Sequence, residues 1–279
     1  MDFWKAFIKL DRRIIYAVVA LGVIIPLLWP MGLPISISKE VQSVFDDLDK
    51  LPPGSRIWIA MDYDPASQPE LQPMAMALMR HAFAKDLRVF VMTLWPGAPN
   101  LMVDALDKQT REFAAEGKTI ESGKNYVNLG YKPGGVAVIL GAGQDLRGTF
   151  PTDMFGSPTG TMPIMQDINS TRDMKYVIEI AAGNSADWWV VYGQKNYGFP
   201  LAIGCTAVSA SQYYPYINSS QITGLLNGLR GAAEYEGLTE KPGLAIAGMD
   251  AQSIVHMILV LAIVLANIGY VITFKGGAR

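Results

Sequence analysis

The chain has 279 residues, a formal net charge of −2 and an apolar share of 50%. Near-neutral charge without a basic stripe argues against a nucleic-acid partner, and the single cysteine, Cys205, excludes an internal disulfide. With two histidines in all, His81 and His256, no His-Glu-x-x-His and no cysteine pair, the chain has no zinc-ligand pattern; no metal or cofactor is expected.

The apolar residues gather in two runs, one near each end. Residues 1–12 place Phe3, Trp4, Phe7 and Ile8 among Lys5 and Lys9, the pattern of an interfacial foot on the inner leaflet. Within 13–35, the uncharged stretch from Ile14 to Leu33 reads as a first transmembrane helix, loosened near its exit by Pro26 and Pro30. A cleaved signal peptide is the rival reading, but Trp29-Pro30-Met31 is a poor cleavage site. Residues 36–55 form a stalk, with Val41, Val44, Phe45 and Leu48 on one side of a short helix from Val41 to Leu51.

From 56 to 236 the pattern is that of a folded domain. Arg56 to Asp62 is a buried first strand after the turn residues Pro52-Pro53-Gly54. Pro69 to Ala84 has helical apolar spacing at Leu71, Met74, Ala75, Leu78, Met79, Ala82 and Phe83. Arg88 to Thr93 is a second strand, and Leu101 to Glu116 is a helix closed by Gly117. Val136 to Leu140, after Gly134-Gly135, is predicted as a third strand and Tyr176 to Ala181 as a fourth, with Trp188 to Tyr192 and Leu201 to Cys205 as further strands. Ser219 to Tyr235, after Asn218 as N-cap, is the last predicted helix. Alternating strands and helices make βαβ units and a mainly parallel, Rossmann-like α/β sheet. Residues 237–252 are a return linker, 253–274 a second transmembrane helix built on Ile254 to Phe274, and 275–279 a tail. Lys5, Lys9, Arg12 and Arg13 before the first span, with Lys275 and Arg279 after the second, predict both termini in the cytoplasm and the central domain outside.

In such sheets ligands sit at the carboxyl ends of strands. The first strand ends Asp62-Tyr63-Asp64-Pro65, the second Thr93-Leu94-Trp95-Pro96, the predicted third Gly141-Ala142-Gly143-Gln144-Asp145 and the fourth Gly183-Asn184-Ser185-Ala186-Asp187. That set resembles the haloacid dehalogenase phosphatases. The resemblance implies a nucleophile at Asp62, an acid/base at Asp64, a phosphate contact at Thr93 and metal ligation near Asp187, with Lys132 as the nearest candidate for the family's lysine. Ala66 stands where that family carries Thr or Val, and Asn184 replaces the first acid of the late motif. Gly141, Gly143 and Gly148 do not have the spacing of a dinucleotide fingerprint. Ser185, Ser209 and Ser211 lack a histidine for a triad, since His81 falls inside a predicted helix.

Two segments, Asn125 to Gly135 and Tyr192 to Ser220, are rich in Tyr, Gly, Pro and Asn and read as long loops suited to partner recognition. Their expected contact residues are Tyr126, Tyr131, Tyr197, Tyr213, Tyr214 and Tyr216. In the second span Ala262, Ala266 and Gly269 form a small-residue face for packing against another helix. The expected function is a membrane-anchored, non-enzymatic subunit whose extracytoplasmic domain docks other membrane-protein subunits, or a second copy of itself, at the lipid bilayer. By architecture this layout resembles the accessory membrane proteins of gliding-type ABC transporters, which also carry an α/β domain outside the membrane. The alternatives are a metal-dependent phosphatase-like hydrolase and an extracytoplasmic solute- or glycan-binding receptor.

Overall fold

The computed structural model describes Trp4 and residues 11–275. The foot built on Phe3, Lys5, Phe7, Ile8 and Lys9, and the tail beyond Lys275, lie outside the described residues. The chain divides into two compact units, Met1–Pro34 with Ile246–Arg279, and Ile35–Ala245. In chain order the main elements are α1 (Arg12–Leu28), α2 (Lys39–Asp49), β1 (Arg56–Asp62), α3 (Gln68–Ala84), β2 (Arg88–Thr93), α4 (Pro99–Ala115), β3 (Tyr126–Tyr131), α5 (Val136–Gln144), β4 (Tyr176–Ala181), β5 (Leu201–Cys205), β6 (Gly224–Asn227), α6 (Gly228–Leu238) and α7 (Leu244–Tyr270).

In the larger unit the six strands form one all-parallel sheet in the order β3-β2-β1-β4-β5-β6. A parallel strand is covered on both faces, which is why β1, β2, β4 and β5 read as nearly unbroken apolar runs. One face carries α2, α3, α4 and α6. The other turns Trp58, Phe90, Val177 and Leu201 toward Val138 and Ile139 of α5 and toward Trp189, Phe199 and Tyr213. Trp58 is fully buried, with the rings of Phe90, Phe150 and Trp189 about it. Gly224 of β6 lies so close to Val44 and the Glu40 carbonyl of α2 that a Cβ has no room.

Three expectations are corrected. Val136 to Leu140 is the first half of helix α5, and the third strand is Tyr126–Tyr131, a segment read as loop. A five-residue apolar run fits a buried helix turn as well as a strand. Gly134 and Gly135, both at positive φ, turn the chain into α5. The edge strand β3 tolerates Asn128 and Gly130 because a neighbouring segment meets it, with the Met154 N–H donating to the Asn128 carbonyl and the Ile164 N–H to that of Gly123. Second, the predicted strand Trp188 to Tyr192 lies in a helical stretch, Ser185–Trp188 followed by a π-helical turn Trp189–Gln194. Third, Ser219 to Tyr235 contains strand β6 before helix α6 begins at Gly228, whose φ is +55°.

In the smaller unit, α7 and its continuation, Leu244–Thr273, form a helix of 30 residues, long and apolar enough to cross a membrane. The expected first span is represented by α1, a 17-residue helix that ends before Trp29. The two helices meet where a Cβ on Gly22 would lie 2.8 Å from Ile258. Beyond α1, the backbone N–H groups of Met31, Gly32 and Leu33 all donate to the buried Asp250 carboxylate, at 2.7, 2.8 and 2.9 Å. One acidic side chain thereby closes the exit of α1 onto the first turns of α7.

Candidate functional site

The strand order reverses between β1 and β4, and the crevice beyond their carboxyl ends is where an open α/β sheet normally takes a ligand. Here that position is filled from within. Asp62, the last residue of β1, is 1% exposed, and Glu179 of β4 is fully buried. Asp62 is level with Ala181 and Glu179 with Ala60, so both carboxyls project from the Trp58 face of the sheet.

Each has partners for one oxygen. Asp62 Oδ1 accepts the Leu94 N–H at 2.6 Å and the Thr93 hydroxyl at 3.0 Å. Glu179 Oε1 accepts the Ser185 hydroxyl at 2.7 Å. Asp62 Oδ2 and Glu179 Oε2 have no N–H or hydroxyl donor among the described residues. The two carboxyl groups are close enough for each to bear on the other's affinity for a proton. Burial raises the affinity of both for a proton. At Glu179 the neighbouring Asp62 charge pushes in the same direction, and the Ser185 hydroxyl offsets it in part. At Asp62 the Leu94 N–H, Glu179 and Thr93 work against burial. Both carboxyls hold a proton more tightly than in water, Glu179 the more strongly.

Asp62 and Thr93 are thus brought together as expected, but with Glu179 and Ser185 rather than with Asp64 and Asp187. Asp64 turns away to accept the Ala66 and Ser67 N–H groups. Asp187 accepts the Tyr216 hydroxyl at 2.9 Å. Lys132 sits over the Phe150 ring. No group of three potential metal ligands exists among the described residues. A phosphoryl nucleophile needs an open approach to a carboxylate oxygen, and Asp62 offers none. The missed residue is Glu179. Its signal was a lone acid inside the apolar run Tyr176-Val177-Ile178-Glu179-Ile180-Ala181.

The tyrosines separate into two kinds. Tyr213 is buried in the domain core, its hydroxyl donating to the Gly183 carbonyl at the end of β4. Tyr197 is half-buried, bonded to the Leu140 carbonyl and crossed by Arg172, and Tyr126 lies against Phe83. Tyr131 and Tyr214 are exposed. Other exposed apolar side chains are Trp95 after β2, Phe155 (70% exposed) in the segment beside β3, and Val208 (85% exposed) after β5. Cys205 closes β5 in a buried site that pushes its thiol up to about 12, so it is no nucleophile.

On another part of the domain a cavity of about 370 Å³ is bounded by the last turns of α2, α3, α4 and α6. His81 lines it, 6% exposed, stacked on Phe45, with Nδ1 2.7 Å from the Tyr235 hydroxyl and Nε2 3.4 Å from Asp49. Its cations are already engaged: Arg80 with Glu112 and Glu116, Lys85 with Asp49, Lys241 with Glu116, and Lys118 over Phe113. Such a neutralised rim leaves little charge to recognise a small ion.

For Ala262, Ala266 and Gly269 the structure gives three environments. Gly269 is buried, Ala262 half-buried and Ala266 exposed. Ala262 and Gly269 continue, at helical spacing, the stripe of Ile254, Val255 and Ile258 that meets Gly22 of the same chain.

No protein-family model matches the sequence, and no curated protein does. A solved sugar ABC transport system substrate-binding protein from Bordetella parapertussis 12822 aligns over 71% of this chain and 86% of its own, at 11% identity and a TM-score of 0.18.

Proposed function

We propose that this chain is a non-enzymatic subunit of a membrane assembly, anchored by two transmembrane segments with both termini in the cytoplasm, whose extracytoplasmic α/β domain docks other membrane-protein subunits. The observation that carries this reading is the closed switch point: the place a Rossmann-like sheet offers to a substrate or solute is taken by the Asp62–Glu179 pair. The same argument weighs against the hydrolase and receptor alternatives, both of which need that crevice open. What the carboxyl edge of the sheet does offer outward is apolar and aromatic, from Trp95, Tyr131, Phe155, Val208 and Tyr214. Apolar surface of this kind, left in water, is the material of a protein interface. Arg12 and Arg13 in the first turn of α1, and Lys275 after α7, support the orientation.

The test is extraction in the mildest detergent that releases the chain, followed by native electrophoresis and identification of co-migrating proteins. The expected result is a species well above the 30.4 kDa of one chain, disrupted by a double Trp95→Ala, Val208→Asp variant that stays folded. A monodisperse single chain, or metal-dependent hydrolysis abolished by Asp62→Asn, overturns the proposal.

A further inference from the structure

The two seams of α7 differ in chemistry. The side that meets α1 at Gly22 carries Ile254, Val255 and Ile258, and Ala262, Leu265 and Gly269 continue it at helical spacing, all of them apolar. On the opposite side, His256, Val260, Ile263 and Asn267 follow one another at spacings of four, three and four residues and are all exposed. Val260 and Ile263 are each 60% exposed. Asn267 spends one amide hydrogen on the Ile263 carbonyl at 2.8 Å, which leaves its carbonyl and a second hydrogen free to bond outward. His256 makes no hydrogen bond among the described residues. In a bilayer, an outward face with a histidine and an asparagine is not a lipid face: lipid tails cannot satisfy either group, whereas another helix can.

We propose that this face is the contact between two copies of the chain, with α7 of each packed in parallel about a twofold axis along the membrane normal. The inference rests on the membrane-spanning reading above. Three features select a second copy as the occupant. Copies inserted by the same flanking charges lie parallel, so across a twofold axis each residue meets itself. The two polar residues are types that can meet themselves: a carboxamide carries donors and an acceptor, and an imidazole offers two ring nitrogens to a second ring. No formal charge stands among the four residues, so nothing there calls for a partner of opposite sign. His256 to Ile263 and Val260 to Asn267 are each one heptad step, the repeat that keeps a stripe on the axis of a left-handed parallel pair. Asn267 sets the register of the pair, as a single buried polar residue does in a two-stranded coil. The apolar seam remains on α1, giving the order α1, α7, α7 of the second copy, α1 of the second copy.

The test uses the full chain in its native membranes, with the buried Cys205 replaced by Ala and single cysteines introduced by Val260→Cys, Ile263→Cys, Ile258→Cys or Leu261→Cys. Mild oxidation should give disulfide dimers of twice the chain mass from the Val260 and Ile263 variants, at least about fivefold more than from the other two. Adding Asn267→Leu to Val260→Cys should lower the dimer yield about fivefold, and Asn267→Gln, which restores an amide, should recover most of it. Equal yields at all four positions, no dimers, or adducts to a protein of different mass overturn the inference. Resistance to alkaline carbonate extraction is measured in parallel: a chain that is released by carbonate refutes the membrane reading itself, whereas a resistant chain without dimers refutes only the pairing.

Discussion

Glu179→Gln is the sharpest probe of the closed crevice. Gln copies the protonated acid in shape, and its carbonyl can accept the Ser185 hydroxyl, so the packing is kept while the titration is removed. Glu179 binds its proton more tightly folded than unfolded, because burial and the Asp62 charge raise its pKa well above 4.5. The folded state then holds more protons than the unfolded state as soon as pH exceeds 4.5, and stability falls as pH rises toward the folded pKa. One proton corresponds to about 1.4 kcal/mol per pH unit within that window. Two units inside the window therefore amount to about 2.7 kcal/mol, or roughly 5–10 °C in Tm for a domain of this size. Thermal unfolding of the full chain in detergent, followed by near-ultraviolet circular dichroism, should show wild type and Glu179→Gln close together at pH 4.5. The variant should pull ahead by that amount between pH 5 and pH 7. A gap that does not change with pH, or one that favours wild type as pH rises, would refute the raised proton affinity of Glu179.

Other expectations follow from other parts of the molecule. His81 is held neutral, its pKa lowered chiefly by burial, so its contribution is present above about 6.5 and is lost as pH falls through and below that value; His81→Gln should flatten the acid side of the stability profile by up to about 1.4 kcal/mol per unit. Tyr235→Phe should cost about 1 kcal/mol through the lost bond to His81 Nδ1, read by denaturant midpoint. Asp250→Ala leaves three backbone N–H groups without their acceptor and should cost about 1–3 kcal/mol; protease cleavage within 29–34 should rise with it. Trp58→Ala should cost about 3–5 kcal/mol, measured by urea unfolding.

Much of the architecture is local physics and was legible in the residues. β1, β2, β4 and β5 are apolar runs that no exposed strand could carry, and α3 and α4 have the helical spacing that goes with them. The length and apolarity of α7 follow from composition in the same way. Where two structures share one local pattern, only packing chose between them. Val136 to Leu140 is as apolar as a strand, but it lies as a helix across the Trp58 face of the sheet. Tyr126–Tyr131 looks like loop chemistry, yet it completes the edge because β2 supplies a ladder for it. The candidate site shows the same division. Asp62 and Thr93 were visible at strand ends, but their meaning depended on Glu179, which is 117 positions from Asp62 in the numbering and becomes its neighbour through the pairing of β1 with β4. In α7 the polar His256 and Asn267 could be read directly, whereas the side of α7 that α1 would occupy could not. Sequence determines which side chains seek burial and which need a partner; proximity across the sheet and between the helices decides which partner each one finds.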